Sequence, residues 1–120
     1  MDKKIIVGAT EFVTIKGVHH KSLVPARIDT GATRSSIHAL LVKELDLGPM
    51  LRTRSVKNAN GTAIRPIINV KIELKDKIIE TEFTVTDRSH MKYKVLIGRN
   101  VLSKGFMVDP SIDVVRNKKW

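Results

Sequence analysis

Residues 66–86 read Pro-Ile-Ile-Asn-Val-Lys-Ile-Glu-Leu-Lys-Asp-Lys-Ile-Ile-Glu-Thr-Glu-Phe-Thr-Val-Thr, and this stretch decides the fold class. Up to Leu74, apolar residues alternate with Asn, Lys and Glu, and from Ile79 they alternate with Glu and Thr. Successive side chains of a strand point to opposite faces, so the pattern predicts a β-hairpin with one buried face. A helix in this stretch would contradict the whole interpretation.

The flanking sequence predicts further strands around this hairpin. Asn60-Gly61 lies between two extended runs and is a strong hairpin signal. Residues 40–47 indicate a short helix or an irregular turn, and residues 100–104 indicate one or two helical turns. Strands are expected over residues 11–16, 23–28, 35–39, 54–57, 62–65, 95–97, 106–110 and 114–115. The chain therefore reads as one mostly β domain over residues 1–120.

The triplet Asp29-Thr30-Gly31 follows the apolar-edged run of residues 22–28. An Asp at the end of a strand caps its own turn, and a Gly lets backbone approach the carboxylate. By itself the triplet does not distinguish a catalytic carboxylate from an ordinary turn residue. It occurs once in the chain. Catalysis by two carboxylates that share a proton would therefore require a second chain.

The charge of the chain bears on its partners. There are 22 Lys and Arg against 12 Asp and Glu, a formal net charge of +10. This favours an acidic partner such as nucleic acid, the ribosome or an acidic peptide, although a solvated basic surface is the alternative. Only one Trp, one Tyr and three Phe are present, and single-strand readers rely on aromatic stacking. Nucleic acid is therefore less expected than an acidic peptide.

The absence of cysteine and the lack of long apolar runs exclude several classes of protein. The chain has no Cys, so a disulfide framework and a thiolate metal site are excluded. No apolar run approaches the ~20 residues of a membrane span. The apolar stretch near the N-terminus is too short for a signal peptide. We expect a soluble cytoplasmic protein with no membrane partner.

The order of these parts resembles the retropepsins, the aspartic peptidases of retroviral type. The resemblance is closer to a group of bacterial and archaeal retropepsin-like proteins that carry the label ATP-dependent zinc proteases. It rests on residues 26–32 (Ala-Arg-Ile-Asp-Thr-Gly-Ala), 35–39, 87–89, 91–93, 96–100 (Leu-Ile-Gly-Arg-Asn) and 108–111, and it spans residues 7–111. It implies a closed retropepsin-like (acid protease) β barrel with a flap hairpin and one or two short helices.

The resemblance also implies an aspartic-type endopeptidase that works as a homodimer. Asp29 of each subunit would meet at a two-fold axis, where one carboxylate activates water and the other polarises the scissile carbonyl. Thr30 and Gly31 would complete the catalytic loop. The residues expected to contact substrate are Arg27, Ala32, Arg34, Asn60 and Gly61, and those expected to support the loop are Gly98, Arg99 and Asn100.

The substrate class follows from resemblance and charge together. Some relatives in this group are associated with ATP-grasp ligases that add glutamates to protein tails, and are linked to trimming those additions. Arg27 and Arg34 stand beside Asp29, and buried substrate carboxylates need such charge partners. We therefore expect a glutamate-rich peptide or protein tail as substrate.

The mechanism requires no cofactor, and the label alone suggests zinc. There is no His-Glu-x-x-His motif, and adjacent His19 and His20 on a strand would point to opposite faces. There is also no Walker-type phosphate loop, so any dependence on ATP would come from a partner protein.

Two other functional classes stay open at this point. One is a non-catalytic basic module for dimerisation or for docking to ribosome or nucleic acid. The other is a metal-dependent hydrolase that uses Asp29 and His38.

The sequence departs from the retroviral pattern at two places. Thr33-Arg34 stand where retroviral enzymes carry acidic residues, so the sequence does not identify a partner for Arg99. The hairpin tip, residues 59–62, is less glycine-rich than a retroviral flap.

Overall fold

The computed structural model describes residues 3–117, and the described chain is mostly β. Its strands are β1 Ile5–Val7, β2 Thr10–Lys16, β3 Lys21–Ile28, β4 Ser35–His38, β5 Met50–Asn58, β6 Gly61–Leu74, β7 Lys77–Thr86, β8 Val95–Ile97 and β9 Phe106–Val108. The helices are α1 Ala39–Glu44 and α2 Arg99–Leu102. Both are short: α1 begins one residue before the predicted segment 40–47 and ends three residues before its end, and α2 begins one residue before the predicted segment 100–104 and ends two residues before its end.

Six of the strands form the predicted closed barrel. Their order is β2, β3, β8, β4, β7 and β6, and β6 pairs back onto β2, with Ile15 opposite Ile72. β8 lies between β3, to which it is parallel, and β4, to which it is antiparallel. The parallel register places Ile28 beside Ile97. The residues that follow, Asp29 and Gly98, therefore leave the barrel side by side at one edge.

The hairpin of β6 and β7 confirms the prediction that the alternating residues form two strands with one buried face. Val70, Ile72 and Leu74 are buried in the barrel core, whereas Asn69 and Lys71 are exposed. The two strands are joined by Lys75 and Asp76, which both have positive φ, at 51° and 66°. This backbone geometry matches the twist of the flanking strands, and it forms here without glycine.

The second hairpin, formed by β5 and the first half of β6, extends beyond the barrel and is called the flap below. Of the strands that the structure describes, only β6 pairs with β5. The hairpin itself was predicted, but its turn is shifted by one residue. Ala59 and Asn60 form the loop, and Gly61 begins β6 with φ of 119°. The Asn60 amide donates to the Asn58 side chain, which caps the loop at 2.9 Å.

The structure differs from the sequence prediction in several places: β5 begins at Met50 rather than at residue 54, and β9 ends at Val108 rather than at residue 110. Residues 114–115, predicted as a strand, lie in a turn, because the Asp113 carboxylate accepts hydrogen bonds from the Thr10 hydroxyl and the Arg116 amide. In addition, β1 and β9 form a small parallel sheet, and β1 was not predicted. Among residues 3–117, no helix is long and apolar enough to cross a membrane.

Candidate active site

Asp29 stands at the end of β3, held by main-chain hydrogen bonds on both sides. Its amide donates to the Ile97 carbonyl at 2.8 Å, and its own carbonyl accepts from the Ala32 amide at 3.2 Å. The Gly31 amide donates to Asp29 Oδ1 at 2.9 Å. A Cβ at Gly31 would lie only 3.2 Å from that oxygen, so glycine gives the carboxylate its clearance. Asp29 is half-buried, and its carboxylate is fixed in a tight turn in which Thr30 and Gly31 are exposed.

Gly98 lies directly behind this loop. A Cβ at this position would be 2.6 Å from the Arg34 carbonyl oxygen and 2.9 Å from that of Ala32. Both contacts involve backbone, which cannot rotate away as a side chain can. The close approach requires glycine and lets the Asp29 loop rest on the end of β8.

Arg99 is the second support of the loop. Its guanidinium donates to the Thr30 carbonyl at 2.8 Å and to the Thr33 hydroxyl at 3.0 Å. No partner for this arginine could be predicted from the sequence, because Thr33 and Arg34 stand where retroviral enzymes carry acidic residues. Here its partners are neutral oxygens of the same loop. Arg99 therefore connects both ends of the Asp29 turn to the start of α2.

Asn100 joins the loop to the barrel wall. Its Oδ1 accepts from the Ser35 amide and hydroxyl, at 3.1 and 2.8 Å, and its Nδ2 donates to the Glu82 carbonyl at 2.7 Å. The Ser35 hydroxyl in turn accepts from the Gly98 amide at 2.9 Å. Ser35 is fully buried and completes the network, a role that the sequence did not reveal.

A cavity of about 410 Å³ lies between the loop after Asp29 and the two arms of the flap. Four of its lining residues are arginines: Arg34, Arg54, Arg65 and Arg88. The other lining residues are Ala32, Thr33, Ser36, Val56, Thr84, Thr86, Asp87 and Met91. The cavity therefore lies between the loop after Asp29 and a strongly basic wall.

The residues predicted to contact substrate are only partly brought together. Ala32 and Arg34 line the cavity. Arg34 also lies 3.5 Å from Glu82, whose carboxylate accepts two shorter bonds from Arg52, at 2.9 and 2.6 Å. The hydrogen bond from Arg52 lowers the pKa of Glu82, so this carboxylate stays ionised between the two arginines.

The other three predicted contact residues do not line this cavity. Arg27 is exposed on β3, where its buried neighbours Ala26 and Ile28 face the core. Asn60 and Gly61 lie at the tip of the flap, whereas the flap residues that reach the cavity are nearer its base. Their contact with substrate remains a prediction.

Three cavity arginines were not identified from the sequence: Arg54 in β5, Arg65 in β6 and Arg88 in the loop after β7. They lie far apart along the chain and meet only through the register of the flap and the closure of the barrel. The alternation of Arg52, Arg54 and Val56 on one face of β5 was the available signal.

The donor set does not fit the zinc suggested by the family label. His38 is buried, and its Nδ1 accepts a hydrogen bond from the Arg88 amide at 2.9 Å, so this nitrogen already has a partner. His19 and His20 are exposed in the loop between β2 and β3. Within residues 3–117, no three His, Asp or Glu side chains are grouped closely enough to hold a metal ion.

Solved structures share this architecture. A Legionella pneumophila protein of unknown function, Lpg0085 (DUF785), superposes with a TM-score of 0.65 and 22% identity over 89% of this chain and 94% of that protein. EIAV protease, solved with the inhibitor HBY-793, gives 0.66 and 21% over 91% and 95%. Simian foamy virus (mac) protease gives 0.60 and 14% over 92% and 99%. At these identities the similarity establishes the retropepsin-like fold.

Curated relatives carry a different name. Proteins named "Probable alpha-L-glutamate ligase" from Parasynechococcus marenigrum (strain WH8102) and Shewanella pealeana (strain ATCC 700345 / ANG-SQ1) are 29% and 30% identical over 135 aligned positions. In both, the match covers 92% of this chain. The chain spans only 29% of the length of these relatives.

The family model agrees with the fold, and the segment that it matches begins after the Asp29 loop. Residues 42–119 match the RimB-like model, described as retropepsin-like aspartic endopeptidase RimB. This segment includes the flap, the loop supports Gly98 to Asn100 and three of the four cavity arginines. The chain therefore belongs to the RimB-like family of retropepsin-like aspartic endopeptidases.

Proposed function

We propose that this protein is an aspartic peptidase that works as a homodimer, with one Asp29 from each chain. The observation that carries the proposal is the construction of the Asp29 loop. Its carboxylate is held by the Gly31 amide, its backbone rests on Gly98, and Arg99 donates to the loop at two points. So much support for a half-buried carboxylate beside a cavity suits a catalytic group better than an ordinary turn.

The proposed chemistry uses the two carboxylates in different protonation states. Like charges at close range cannot both ionise, so one Asp29 is ionised and its partner is protonated. The ionised carboxylate removes a proton from a water molecule, whose oxygen attacks the scissile carbonyl carbon. The protonated carboxylate donates to the carbonyl oxygen, and a proton then passes to the departing amine as the C–N bond breaks. The flap would cover the substrate and exclude bulk water.

The proposed substrate is an acidic, glutamate-rich peptide or protein tail. The net charge of +10 favours such a partner, and the cavity beside the loop presents four arginines. Arginine pairs bidentately with carboxylates, which makes these side chains suitable contacts for glutamate. The names of the curated relatives agree with this proposal, since an α-L-glutamate ligase would produce peptide-linked glutamate. We therefore propose a functional link to a ligase of the ATP-grasp type.

The experiment compares hydrolysis of an oligoglutamate peptide by the wild type, Asp29→Asn and Asp76→Asn. Asn keeps the size and turn preference of Asp but removes the general base. We expect the Asp29 variant to lose at least ~10⁴-fold in rate, the upper end for a general acid–base group. Asp76 lies in the turn between β6 and β7, so its replacement provides a matched control that keeps full activity. Unchanged turnover in folded Asp29→Asn protein would contradict the proposal.

A second candidate is a module that binds glutamate chains without cleaving them. It is favoured by the ligase names of the curated relatives. The same assay separates the two functions, because a binding module would release no product from oligoglutamate even as the wild-type protein.

A further inference from the structure

The walls of the cavity beneath the flap carry more positive charge than the protein itself neutralises. Arg34 has Glu82 within 3.5 Å. By contrast, Arg54, Arg65 and Arg88 form no ion pair within 4.0 Å among residues 3–117. The carboxylate that lines the cavity, Asp87, is exposed and accepts a hydrogen bond from the Ser89 amide at 2.9 Å. Three of the four cavity arginines therefore have no ion-pair partner among the described residues, and Asp87 is a single carboxylate against four guanidiniums.

The register of the flap places two of these arginines directly opposite each other. Arg54 of β5 pairs with Arg65 of β6, and both line the cavity. Like charges at directly opposed positions destabilise a pair of strands. An anion that lies between the two guanidiniums would convert this repulsion into two attractive contacts.

Two buried polar atoms on the same cavity walls have no hydrogen-bond partner within the described part of the chain, residues 3–117. They are Nε of Arg65 and Oγ1 of Thr84, and the Thr84 residue is only 6% exposed. A buried polar group without a partner is costly, so such groups indicate a missing ligand more than a structural role. Both atoms could donate to an acceptor, and neither needs a cation.

Arg88 forms the opposite wall and is the most buried of the arginines, at 7% exposure. Its Nε donates to the Tyr93 carbonyl at 2.9 Å, which fixes the side chain in place. Burial lowers the pKa of this guanidinium, although arginine remains charged at physiological pH. A bound anion would offset the cost of that burial.

We propose that Arg54, Arg65, Arg88 and Thr84 form a subsite for a side-chain carboxylate of the substrate, and that this carboxylate joins the two arms of the flap to the barrel. The inference rests on the proposed peptidase function, because a peptide cleaved at Asp29 would extend past Ala32 and Thr33 into the cavity that these residues line. The planar fork of arginine matches a carboxylate, and the flap would then close fully only over an acidic residue. Specificity for glutamate thus comes from the flap as well as from net charge.

The test measures binding separately from cleavage, in the Asp29→Asn background. Fluorescence anisotropy is recorded with a labelled oligoglutamate peptide and with its neutral counterpart, oligoglutamine. Arg65→Gln should weaken oligoglutamate binding roughly tenfold or more, the effect of losing one charge-assisted hydrogen bond. Thr84→Val preserves shape and should weaken it severalfold, and neither change should alter oligoglutamine binding.

Lys57→Gln is the matched control. Lys57 lies in the same flap hairpin, on β5, and carries the same charge as Arg65, but its side chain alternates with those of Arg54 and Val56 and does not line the cavity. Its replacement should change oligoglutamate binding by no more than about twofold, the effect of a distant exposed charge at moderate salt. Equal losses in Lys57→Gln and Arg65→Gln would overturn the subsite and leave only general electrostatic attraction.

Two further outcomes would also overturn the inference. One is oligoglutamate affinity that survives both Arg65→Gln and Thr84→Val. The other is inorganic phosphate that displaces oligoglutamate at concentrations below those of glutamate peptides, which would assign the arginines to phosphate. Cleavage of oligoglutamate by the protein with Asp29 intact is assayed in parallel, so that failure of the subsite can be told from failure of the peptidase. Cleavage that Arg65→Gln leaves unchanged would refute the subsite and keep the peptidase.

Discussion

Replacing Gly98 with Ala should both destabilise the protein and slow hydrolysis, because it pushes the Asp29 loop off its support. The new methyl carbon would lie 2.6 Å from the Arg34 carbonyl oxygen, 2.7 Å from the Arg34 carbonyl carbon and 2.9 Å from the Ala32 carbonyl oxygen. These backbone atoms must move by roughly 0.5–1 Å to regain ordinary van der Waals separation. Forcing extra volume into a packed site costs about 1–3 kcal/mol. A displacement near 1 Å at a catalytic group also costs on the order of 10²-fold in rate.

The assay combines chemical denaturation with kcat on an oligoglutamate peptide. Gly105→Ala is the matched control, because Gly105 has φ of 106° and lies between α2 and β9, away from the loop. This substitution should cost about 1–2 kcal/mol through backbone strain, with kcat unchanged. The reasoning would be refuted if Gly98→Ala kept full kcat and stability within about 0.5 kcal/mol of wild type. It would also be refuted if Gly105→Ala lost as much kcat as Gly98→Ala.

Two further predictions concern charged groups outside the catalytic loop. Glu82→Gln frees Arg34 and Arg52, so KM for an acidic peptide should fall severalfold at low salt and converge with wild type at high salt, where screening is strong. An unchanged KM at low salt would show that Glu82 does not compete with substrate. The hydrogen bond from the Thr10 hydroxyl is the largest cause that lowers the pKa of Asp113 in the folded protein from its ordinary value of 3.8. The ionised Asp113 therefore stabilises the folded protein above pH 3.8, and this stabilisation is lost as the pH falls through the lower pKa of the folded state. Denaturation midpoints measured below pH ~4 should therefore fall less steeply in Asp113→Asn than in wild type, and parallel curves would refute this.

The sequence predicted the parts of the fold that depend on local pattern. Strict alternation over residues 66–86 specified a two-sided hairpin, and Asn60-Gly61 indicated the flap to within one residue. The strand predicted at residues 114–115 was wrong. Two adjacent valines are typical of a strand, but the Asp113 side chain accepts a hydrogen bond from the Arg116 amide and closes a turn there. The three-residue strand β1 depends on parallel pairing with β9, which local pattern does not reveal.

The residues of the candidate site likewise include some that a local motif predicts and others that meet only in the folded chain. Asp29, Gly31 and the 98–100 segment were recognisable because each lies within a short contiguous motif. The cavity arginines were not, because Arg54 and Arg65 meet through cross-strand register and Arg88 through barrel closure. The orphaned atoms of Arg65 and Thr84 are visible only once burial is known.

The most direct test of the account is a subunit-mixing titration with Asp29→Asn protein. If each active site takes one Asp29 from each chain, an equal mixture that exchanges freely should retain about one quarter of the activity of the same total amount of wild type, because mixed dimers are inactive. Mixing with Asp76→Asn should leave activity unchanged and thereby controls for dilution and exchange. Retention of about one half with the Asp29 variant would mean that each chain works alone, and would contradict the shared pair of carboxylates.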